Sequence, residues 1–271
     1  WVGRSIQRVE DFALLMGRGR FIDDLGTRPG TLHAAILRSP HAHADIVAID
    51  TSAALKSRGV AAVLVGEDVK KLTSSLVVGV KAPVECWPIA VGRVRYVGEP
   101  VAVVVASDRY LAEDAIDLVE VQYSVRPAVI DPLVAVRAHA PVLHDGFSGN
   151  VASDRRFRYG DPEKAFAEAA HRISIDIKYP RNSCTPIETY GLIADYDPAE
   201  NAFDVLANFQ GPFSIHAVIS RALKVPGNRL RLRTPPDSGG SFGVKQGIFP
   251  YIVLIAAASR VVGRPVKWIE D

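Results

Sequence analysis

The sequence is poor in the features that mark several large classes of protein. Only two cysteines, Cys86 and Cys184, occur in 271 residues, too few for the four ligands that an iron–sulfur cluster usually takes or for a disulfide scaffold. The formal net charge is only +2, so neither nucleic acid nor an anionic membrane surface is implied as a partner. The sequence also contains no internal repeat and no low-complexity stretch.

Long uninterrupted apolar runs are missing as well. The longest apolar segment, residues 248–262, is interrupted by Pro250, Ser259 and Arg260, whereas a bilayer span needs roughly 20 mainly apolar residues. No signal peptide is recognised, although the sequence begins at Trp1 without an initiator methionine. We therefore expect a cytoplasmic protein without a membrane span, long enough to hold two domains.

Short strands and short helices alternate along the chain, which predicts α+β or α/β packing. Residues 1–18 are expected to be an extended arm, and residues 71–94 a loop with at most one edge strand. Pro100–Ala106, a run of valine and alanine, predicts a strand buried on both faces. Thr51, Ser107 and Asp161 are predicted N-caps of the helices that follow them. Further strands are predicted at 32–37, 46–49, 60–65, 119–123, 173–177, 192–196, 203–207, 230–232 and 265–269, and further helices at 213–223 and 248–262.

The last predicted strand, residues 265–269, ends two residues before Asp271. A strand at the margin of an unfinished sheet exposes backbone groups that must be paired. We therefore expect this strand to lie at an incomplete edge.

A glycine-rich stretch, Pro235–Lys245, separates a predicted strand from the longest apolar segment. Glycines there allow positive φ and let a ligand approach the main chain. Outward N–H groups at a helix N-terminus suit phosphate or oxo groups. The alternative is a simple turn with Phe242 in the core. The spacing matches neither a Walker loop, because no Lys-Ser/Thr pair closes it, nor GxGxxG.

Several polar residues have both a chemical and a structural interpretation. Gln210 follows a predicted strand and either bonds the backbone or faces a ligand. His41 and His43 lack the third ligand that a metal site would need. Cys184 has no histidine at a recognisable spacing, so a buried apolar role is favoured. Lys245 either reaches a phosphate or is solvated.

Six different short motifs are spread over nearly the whole chain, at Gly19–Asp24, Arg38–Ala44, Tyr96–Ala102, Cys184–Gly191, Asn208–Gly211 and Gly239–Gly243. Their types and order resemble those of the molybdenum-binding subunit of the xanthine dehydrogenase, aldehyde oxidase and aerobic carbon monoxide dehydrogenase family. Together they are far more specific than any one of them.

The resemblance implies an α+β fold, with a hammerhead α/β domain followed by the first part of a molybdopterin-binding α+β domain. We place an N-terminal arm at residues 1–18, the aldehyde oxidase/xanthine dehydrogenase a/b hammerhead domain at 19–140, and an incomplete first molybdopterin-binding domain at 150–271. The boundary falls where proline and glycine residues cluster.

The resemblance also implies which residues form the site. Glu188 and Gln246 are candidates for the substrate pocket, and Glu188 could instead order the site through hydrogen bonds or form a surface salt bridge. No catalytic residue and no metal ligand is expected in this chain, because the family's catalytic glutamate lies near the end of the second molybdenum domain. The implied cofactor-binding residues are Gln210, Gly211, Gly239, Gly240, Ser241, Phe242 and Gly243; the amide of Gln210 can donate to an oxo ligand, which an ionised glutamate could not do.

The implied activity is oxidation or hydroxylation of an aldehyde or N-heterocycle, with water as the oxygen source. The implied cofactor is molybdenum-molybdopterin, commonly the cytosine dinucleotide in bacterial relatives, with [2Fe-2S] clusters and FAD on partner subunits. We expect a split or truncated subunit that is inactive alone and needs the remaining molybdenum-domain chain, an iron–sulfur subunit and an FAD subunit. Two alternatives stay open: a carbon monoxide dehydrogenase-type large subunit, or a noncatalytic scaffold or assembly protein.

Overall fold

The computed structural model describes residues 1–77, 84–180 and 184–271. In these ranges the strands are β1 Leu32–Arg38, β2 Ala44–Asp50, β3 Val60–Val65, β4 Arg93–Val94, β5 Pro100–Ala106, β6 Glu120–Val125, β7 Gly191–Asp197, β8 Ala202–Ala207, β9 Leu230–Arg233 and β10 Val266–Ile269. The helices are α1 Asp11–Leu15, α2 Ser52–Lys56, α3 Gly66–Leu72, α4 Arg109–Ile116, α5 Pro132–Ala135, α6 Pro162–Glu168, α7 Pro212–Ala222 and α8 Phe249–Val262. This mixed architecture confirms the α+β prediction.

The larger sheet joins both halves of the chain. Its strand order is β3-β5-β1-β10-β7-β8-β9. β1 pairs antiparallel with β5 and parallel with β10, and β10 pairs antiparallel with β7. β8 and β9, at the far end, are parallel. The C-terminal strand therefore lies in the middle of the sheet with both edges paired, and the expectation that it lies at an incomplete edge is wrong.

The smaller sheet has the order β4-β2-β6. β5 and β6 are connected through α4 but belong to different sheets. The strand predicted at 100–106, the helix after Ser107 and the strand predicted at 119–123 are therefore all present, and together they link the two sheets.

β5 lies at the centre of the N-terminal packing. All seven of its residues are buried, because one face points into the main core and the other packs against α2 and α4. This confirms the prediction of a strand buried on both faces. The main core extends across the sheet to α8, in which Ile252–Ser259 are all buried.

One helical stretch, Val244–Val262, has the length and apolar composition that a membrane span needs, although the interrupting residues led us to expect no apolar segment of that kind. Over its apolar window, 56% of the residues are buried within the structure. A core helix passes the same test, and the contacts of α8 with β7 and β10 use its apolar surface in this way.

Some local predictions differ from the structure. The arm predicted to be extended at residues 1–18 contains α1. Helix α3, just before the loop predicted at 71–94, was not predicted. Residues 78–83 of that loop lie outside the described ranges. The N-cap of α4 is Asp108 and not Ser107, since its Oδ1 accepts from the N–H of Leu111 at 2.9 Å. A carboxylate one residue later provided the better acceptor.

The other two predicted caps had different outcomes. Thr51 precedes α2, but its side chain makes no capping hydrogen bond. The cap at Asp161 is confirmed, because its Oδ1 accepts from the N–H of Lys164 at 3.2 Å and Pro162 occupies the first turn of α6.

The alternating segment from Ile173 to Ile177 forms no strand in this structure. Ile173, Ile175 and Ile177 are 85%, 70% and 84% exposed, and no strand is assigned between α6 and β7 among the described residues. The prediction of a half-buried strand at 173–177 is therefore wrong for this structure, because none of the described strands pairs with the segment.

Candidate cofactor site

The site lies at one edge of the larger sheet, where β8 and β9 end. Because these strands are parallel, the segments that follow them emerge side by side. Gln210 follows β8, and the glycine-rich loop follows β9. The Oγ of Ser241 donates to Oε1 of Gln210 at 2.5 Å, and the N–H of Gln210 donates to the carbonyl of Lys245 at 3.3 Å. The structure thus brings together two motifs that the sequence separates by about thirty residues.

The loop has an unusual backbone. Gly240 has φ +100°, and Phe242 has φ +49° although it carries a side chain. Such a conformation is uncommon for a residue other than glycine and often accompanies function. The Phe242 side chain is 75% exposed, so the alternative that it is buried in the core is wrong.

The main-chain N–H groups of the loop are available to a ligand. Among the described residues, those of Gly240, Ser241, Phe242 and Gly243 donate to no protein acceptor. The next N–H, that of Val244, donates to the carbonyl of Ser241 at 3.0 Å, at the start of the 3₁₀ segment Val244–Ile248 that leads into α8. Four consecutive free donors therefore precede a helical N-terminus, an arrangement that suits anionic groups.

The two glutamines also face this region. Gln210 is exposed, and with its Oε1 occupied by Ser241 the Nε2 donor has no acceptor among the described residues. Gln246 is exposed as well, and its Nε2 would lie 4.0 Å from a Cβ placed on Gly211. Both amides can therefore reach a molecule bound against the loop.

Glu188 lies behind the loop and bonds three parts of the chain. Its Oε1 accepts from the N–H of Ile22 at 3.2 Å, and its Oε2 accepts from the N–H of Gly239 at 2.9 Å and from Nζ of Lys245 at 2.5 Å. A Cβ on Gly239 would lie 2.3 Å from Cβ of Glu188, so this close approach requires glycine. Glu188 orders the site through hydrogen bonds, one of the roles considered for it.

The pair formed by Glu188 and Lys245 is buried, with side chains only 11% and 1% exposed. Burial alone would raise the pKa of the Glu188 carboxyl, but the hydrogen bonds from Lys245, Gly239 and Ile22 together hold that pKa below its ordinary value. The carboxylate is therefore ionised at neutral pH. A surface salt bridge for Glu188 and a solvated or phosphate-binding Lys245 are both wrong.

Two further anchors were missed in the sequence. The N–H of Arg20 donates to Oδ2 of Asp237 at 2.7 Å, so the N-terminal motif Gly19–Asp24 holds the start of the loop. The hydroxyl of Tyr190 donates to the carbonyl of Val244 at 2.6 Å, and burial raises the pKa of Tyr190 to about 12, which keeps this donor protonated. In the sequence, only the motifs marked these regions as important. No sequence pattern predicts that Arg20 pairs with Asp237 or Tyr190 with Val244.

A cavity of about 580 Å³ adjoins the helical end of the loop. It lies between N-terminal residues such as Trp87 and Glu99 and the C-terminal residues Tyr190, Gly247 and Tyr251. Gly247 directly follows Gln246. The size and the mainly apolar and aromatic lining are typical of a small-molecule site. Burial raises the pKa of the Glu99 carboxyl.

The remaining candidates do not join this site. Among the described residues, no group of three or more histidine, cysteine or acidic side chains could hold a metal ion. His43 is buried, with Nδ1 2.8 Å from the carbonyl of Pro127. Cys184 is exposed, so its predicted role as a buried apolar residue is wrong.

The donors at this site fit a molybdenum-molybdopterin cofactor. Such a cofactor presents oxo, sulfur and phosphate acceptors, and the loop offers four N–H groups without an acceptor in the described part of the chain, together with the Nε2 of Gln210. Fixed N–H donors of this kind stabilise negative charge on a bound group through their dipoles and carry no net charge themselves. Space is available beside them, because a Cβ on Gly243 would meet nothing within 4 Å.

Comparison with known proteins identifies two domains in this chain. Residues 16–127 match the model for the aldehyde oxidase and xanthine dehydrogenase a/b hammerhead domain. Residues 143–271 match the model for the molybdopterin cofactor-binding domain.

Individual relatives agree with these matches. The carbon monoxide dehydrogenase large chain of Hydrogenophaga pseudoflava is 37% identical over 97% of this chain and 34% of the relative. The nicotine 6-hydroxylase large subunit of Paenarthrobacter nicotinovorans is 36% identical over 100% of this chain and 33% of the relative. The crystal structure of quinoline 2-oxidoreductase from Pseudomonas putida 86 superposes with a TM-score of 0.89 and 38% identity, over 99% of this chain and 34% of that one.

The chain therefore spans about one third of the length of the relatives that it matches. Both domain matches and the relatives lead to one family. The chain belongs to the xanthine dehydrogenase, aldehyde oxidase and carbon monoxide dehydrogenase family and corresponds to part of its molybdenum-binding large subunit.

Proposed function

We propose that this chain supplies the hammerhead domain and one wall of the active site in the large subunit of a molybdenum hydroxylase. The observation that carries the proposal is the row of N–H groups from Gly240 to Gly243, beside Nε2 of Gln210, that donate to no acceptor among the described residues. When bound, the cofactor would supply the redox chemistry by which an aldehyde or N-heterocycle is oxidised with water as the oxygen source.

The chain's own contribution is to bind and orient. The loop N–H groups and Gln210 Nε2 would hold acceptor groups of a molybdopterin, which we propose to be the cytosine dinucleotide form. The ion pair between Glu188 and Lys245 keeps the loop in place from behind. A catalytic glutamate is proposed to come from the part of the large subunit that this chain does not span, and electrons would pass to [2Fe-2S] and FAD partners.

The cavity beside Gly247 supports a path for a small organic substrate. Its aromatic walls suit a planar molecule, and Gln246 stands at the boundary between cavity and loop. The relatives named for nicotine and quinoline are consistent with such a substrate. Similarity to the carbon monoxide dehydrogenase large chain is as strong, so that activity stays as a second candidate.

The test is metal analysis of the complete purified complex. We expect stoichiometric molybdenum together with iron, and hydroxylase activity that the 271-residue chain lacks when it is purified alone. Gly240→Val, which places a branched side chain at φ +100°, should lower the affinity for the cofactor by about 10- to 100-fold. Gly26→Ala is the matched control, because its Cβ would meet nothing within 4 Å.

The noncatalytic alternative gives the opposite result. A complex that contains neither molybdenum nor iron would identify the chain as a scaffold and overturn the proposal. Turnover with bound molybdenum in the isolated chain would also contradict it, since one wall of the site would then suffice.

A further inference from the structure

The segment of residues 151–180, at the start of the cofactor-binding domain match and before β7, exposes an unusual amount of apolar side chain. Every residue from 163 to 180 is exposed, as are residues 151–161. The exposed isoleucines Ile173, Ile175 and Ile177 occur here. Three aromatic residues in the same segment, Phe157, Tyr159 and Phe166, are 76%, 87% and 67% exposed. Monomeric proteins rarely leave such groups uncovered together.

The backbone of this segment is equally unpaired. From Ile173 to Lys178, no backbone N–H or carbonyl is hydrogen-bonded to a described residue. The isoleucines alternate with Ser174, Asp176 and Lys178, which is the pattern of a strand with one apolar face. The segment therefore has the sequence of a half-buried strand, and within the described ranges it has neither the sheet nor the core that such a strand requires.

The charge of the segment argues against nucleic acid or an anionic membrane as the missing partner. Residues 151–180 carry six lysine and arginine residues and five aspartate and glutamate residues. Acidic and basic side chains are interspersed, so no basic surface forms. Apolar burial and backbone pairing are the interactions that this segment offers.

The relatives indicate what covers it. They share nearly the whole of this chain but are about three times as long, so a large subunit of their length would have about two thirds of its residues outside this structure. We propose that residues 173–178 form a β-strand that pairs with the edge of a sheet in that remaining part of the large subunit, with Ile173, Ile175 and Ile177 facing its core. The inference rests on family membership and not on the proposed activity.

Hydrogen exchange measured by mass spectrometry tests the pairing. The 271-residue chain is compared with the large subunit produced at the length of its relatives. We expect amides 173–178 to exchange within seconds in the shorter chain and about 100-fold or more slowly in the complete subunit. β8, Ala202–Ala207, is paired on both sides here and should be protected in both. Equal, fast exchange of 173–178 in both forms would overturn the proposal.

A pair of variants tests which face is buried. Ile175→Asp and Ser174→Asp introduce the same charge at adjacent positions on opposite faces. Both residues are exposed, so both variants of the 271-residue chain should melt as the unmodified chain does. After mixing with the separately produced remainder of the large subunit, Ser174→Asp should bind as the unmodified chain does, and Ile175→Asp at least tenfold more weakly. Equal binding by both variants would contradict the assigned face.

Other occupants give distinguishable results. Protection of 173–178 in the 271-residue chain alone, with a dimer by light scattering, would assign the strand to a second copy and overturn the proposal. Metal content does not enter either readout. The proposed pairing of residues 173–178 can therefore be disproved while the proposed function holds, and the proposed function can be disproved while the pairing holds.

Discussion

The ammonium group of Lys245 lies beneath the glycine-rich loop, where it is 1% exposed. Burying a charge is unfavourable unless a partner and hydrogen bonds compensate for the lost hydration. Glu188 provides that partner and at the same time accepts from the N–H of Gly239, the first glycine of the loop. One carboxylate therefore fixes both ends of the segment whose N–H groups face outward.

Lys245→Met should leave this carboxylate buried without its charged partner. We expect the free energy of unfolding to fall by about 3 kcal/mol, because the N–H donors of Ile22 and Gly239 remain but the compensating charge is lost. Urea unfolding measures the change. Lys164→Met is the control: its ion pair with Glu168 is exposed and 3.8 Å long, so the loss should be at most about 0.5 kcal/mol.

A double variant separates lost charge from lost packing. Glu188→Gln combined with Lys245→Met removes both charges but retains an acceptor for a backbone N–H. It should be more stable than Lys245→Met alone by about 1 kcal/mol. Equal effects of Lys245→Met and Lys164→Met would show that the pair does not hold the loop.

At this scale the sequence predicted which residues meet but not all of their roles. The motif resemblance placed Gln210 and the glycine-rich loop together, and the structure joins them through Ser241. Lys245 could not be assigned, because a lysine in the first turn of a helix has the same sequence context whether it is solvated or buried. The contacts of Gln210 and Gln246 with cofactor and substrate stay predictions.

At the scale of single elements, α3 shows how a tertiary contact can outweigh helix propensity. The helix begins at Gly66, a residue type that usually weakens helices. A Cβ there would lie 2.1 Å from the carbonyl oxygen of Ala90. The glycine is thus required by the close approach of the segment before β4.

Gly66→Ala should therefore destabilise the protein although alanine is the better helix former. We expect a loss of about 1–3 kcal/mol from the forced displacement of the backbone, against a gain of about 0.5–1 kcal/mol expected from helix propensity alone. Thermal unfolding by circular dichroism measures the sign. Gly26→Ala, in open space, should change stability by no more than about 0.5 kcal/mol. A stabilised Gly66→Ala variant would contradict the contact.

The elements that the sequence predicted well are those that local information determines. β5 follows from a continuous apolar run, and the start of α6 from the pair Asp161 and Pro162. The predictions that failed concern which strands pair with each other. Alternation in residues 173–177 indicates two faces but not what pairs with them. The edge position predicted for β10 rested on its place at the end of the sequence, which does not reveal that it pairs with β1 and β7, both distant in sequence.

At the scale of the whole molecule, the two domain matches share one β-sheet. β1 belongs to the hammerhead match and β10 to the cofactor-domain match, and they pair directly through Leu32 and Val266. The main core likewise contains residues from both matches. The two halves of the chain therefore share one packed core in this structure.

Unfolding of the 271-residue chain should accordingly be a single transition. Tryptophan fluorescence can report on each half if Trp→Phe substitutions leave only Trp87, in the hammerhead match, or only Trp268, in β10. We expect the two urea midpoints to coincide, as two-state behaviour requires. Two separated midpoints would show that the shared sheet does not couple the halves.

The central position of β10 also has a consequence for synthesis. Once the first half of the chain has emerged from the ribosome, β1 can pair with β5 on one side, but its partner on the other side, β10, has not yet been made. That open edge can be closed only after Val266–Ile269 has left the exit tunnel. During this interval the nascent chain carries a strand edge available for wrong pairing, so chaperone dependence should persist until β10 has left the exit tunnel.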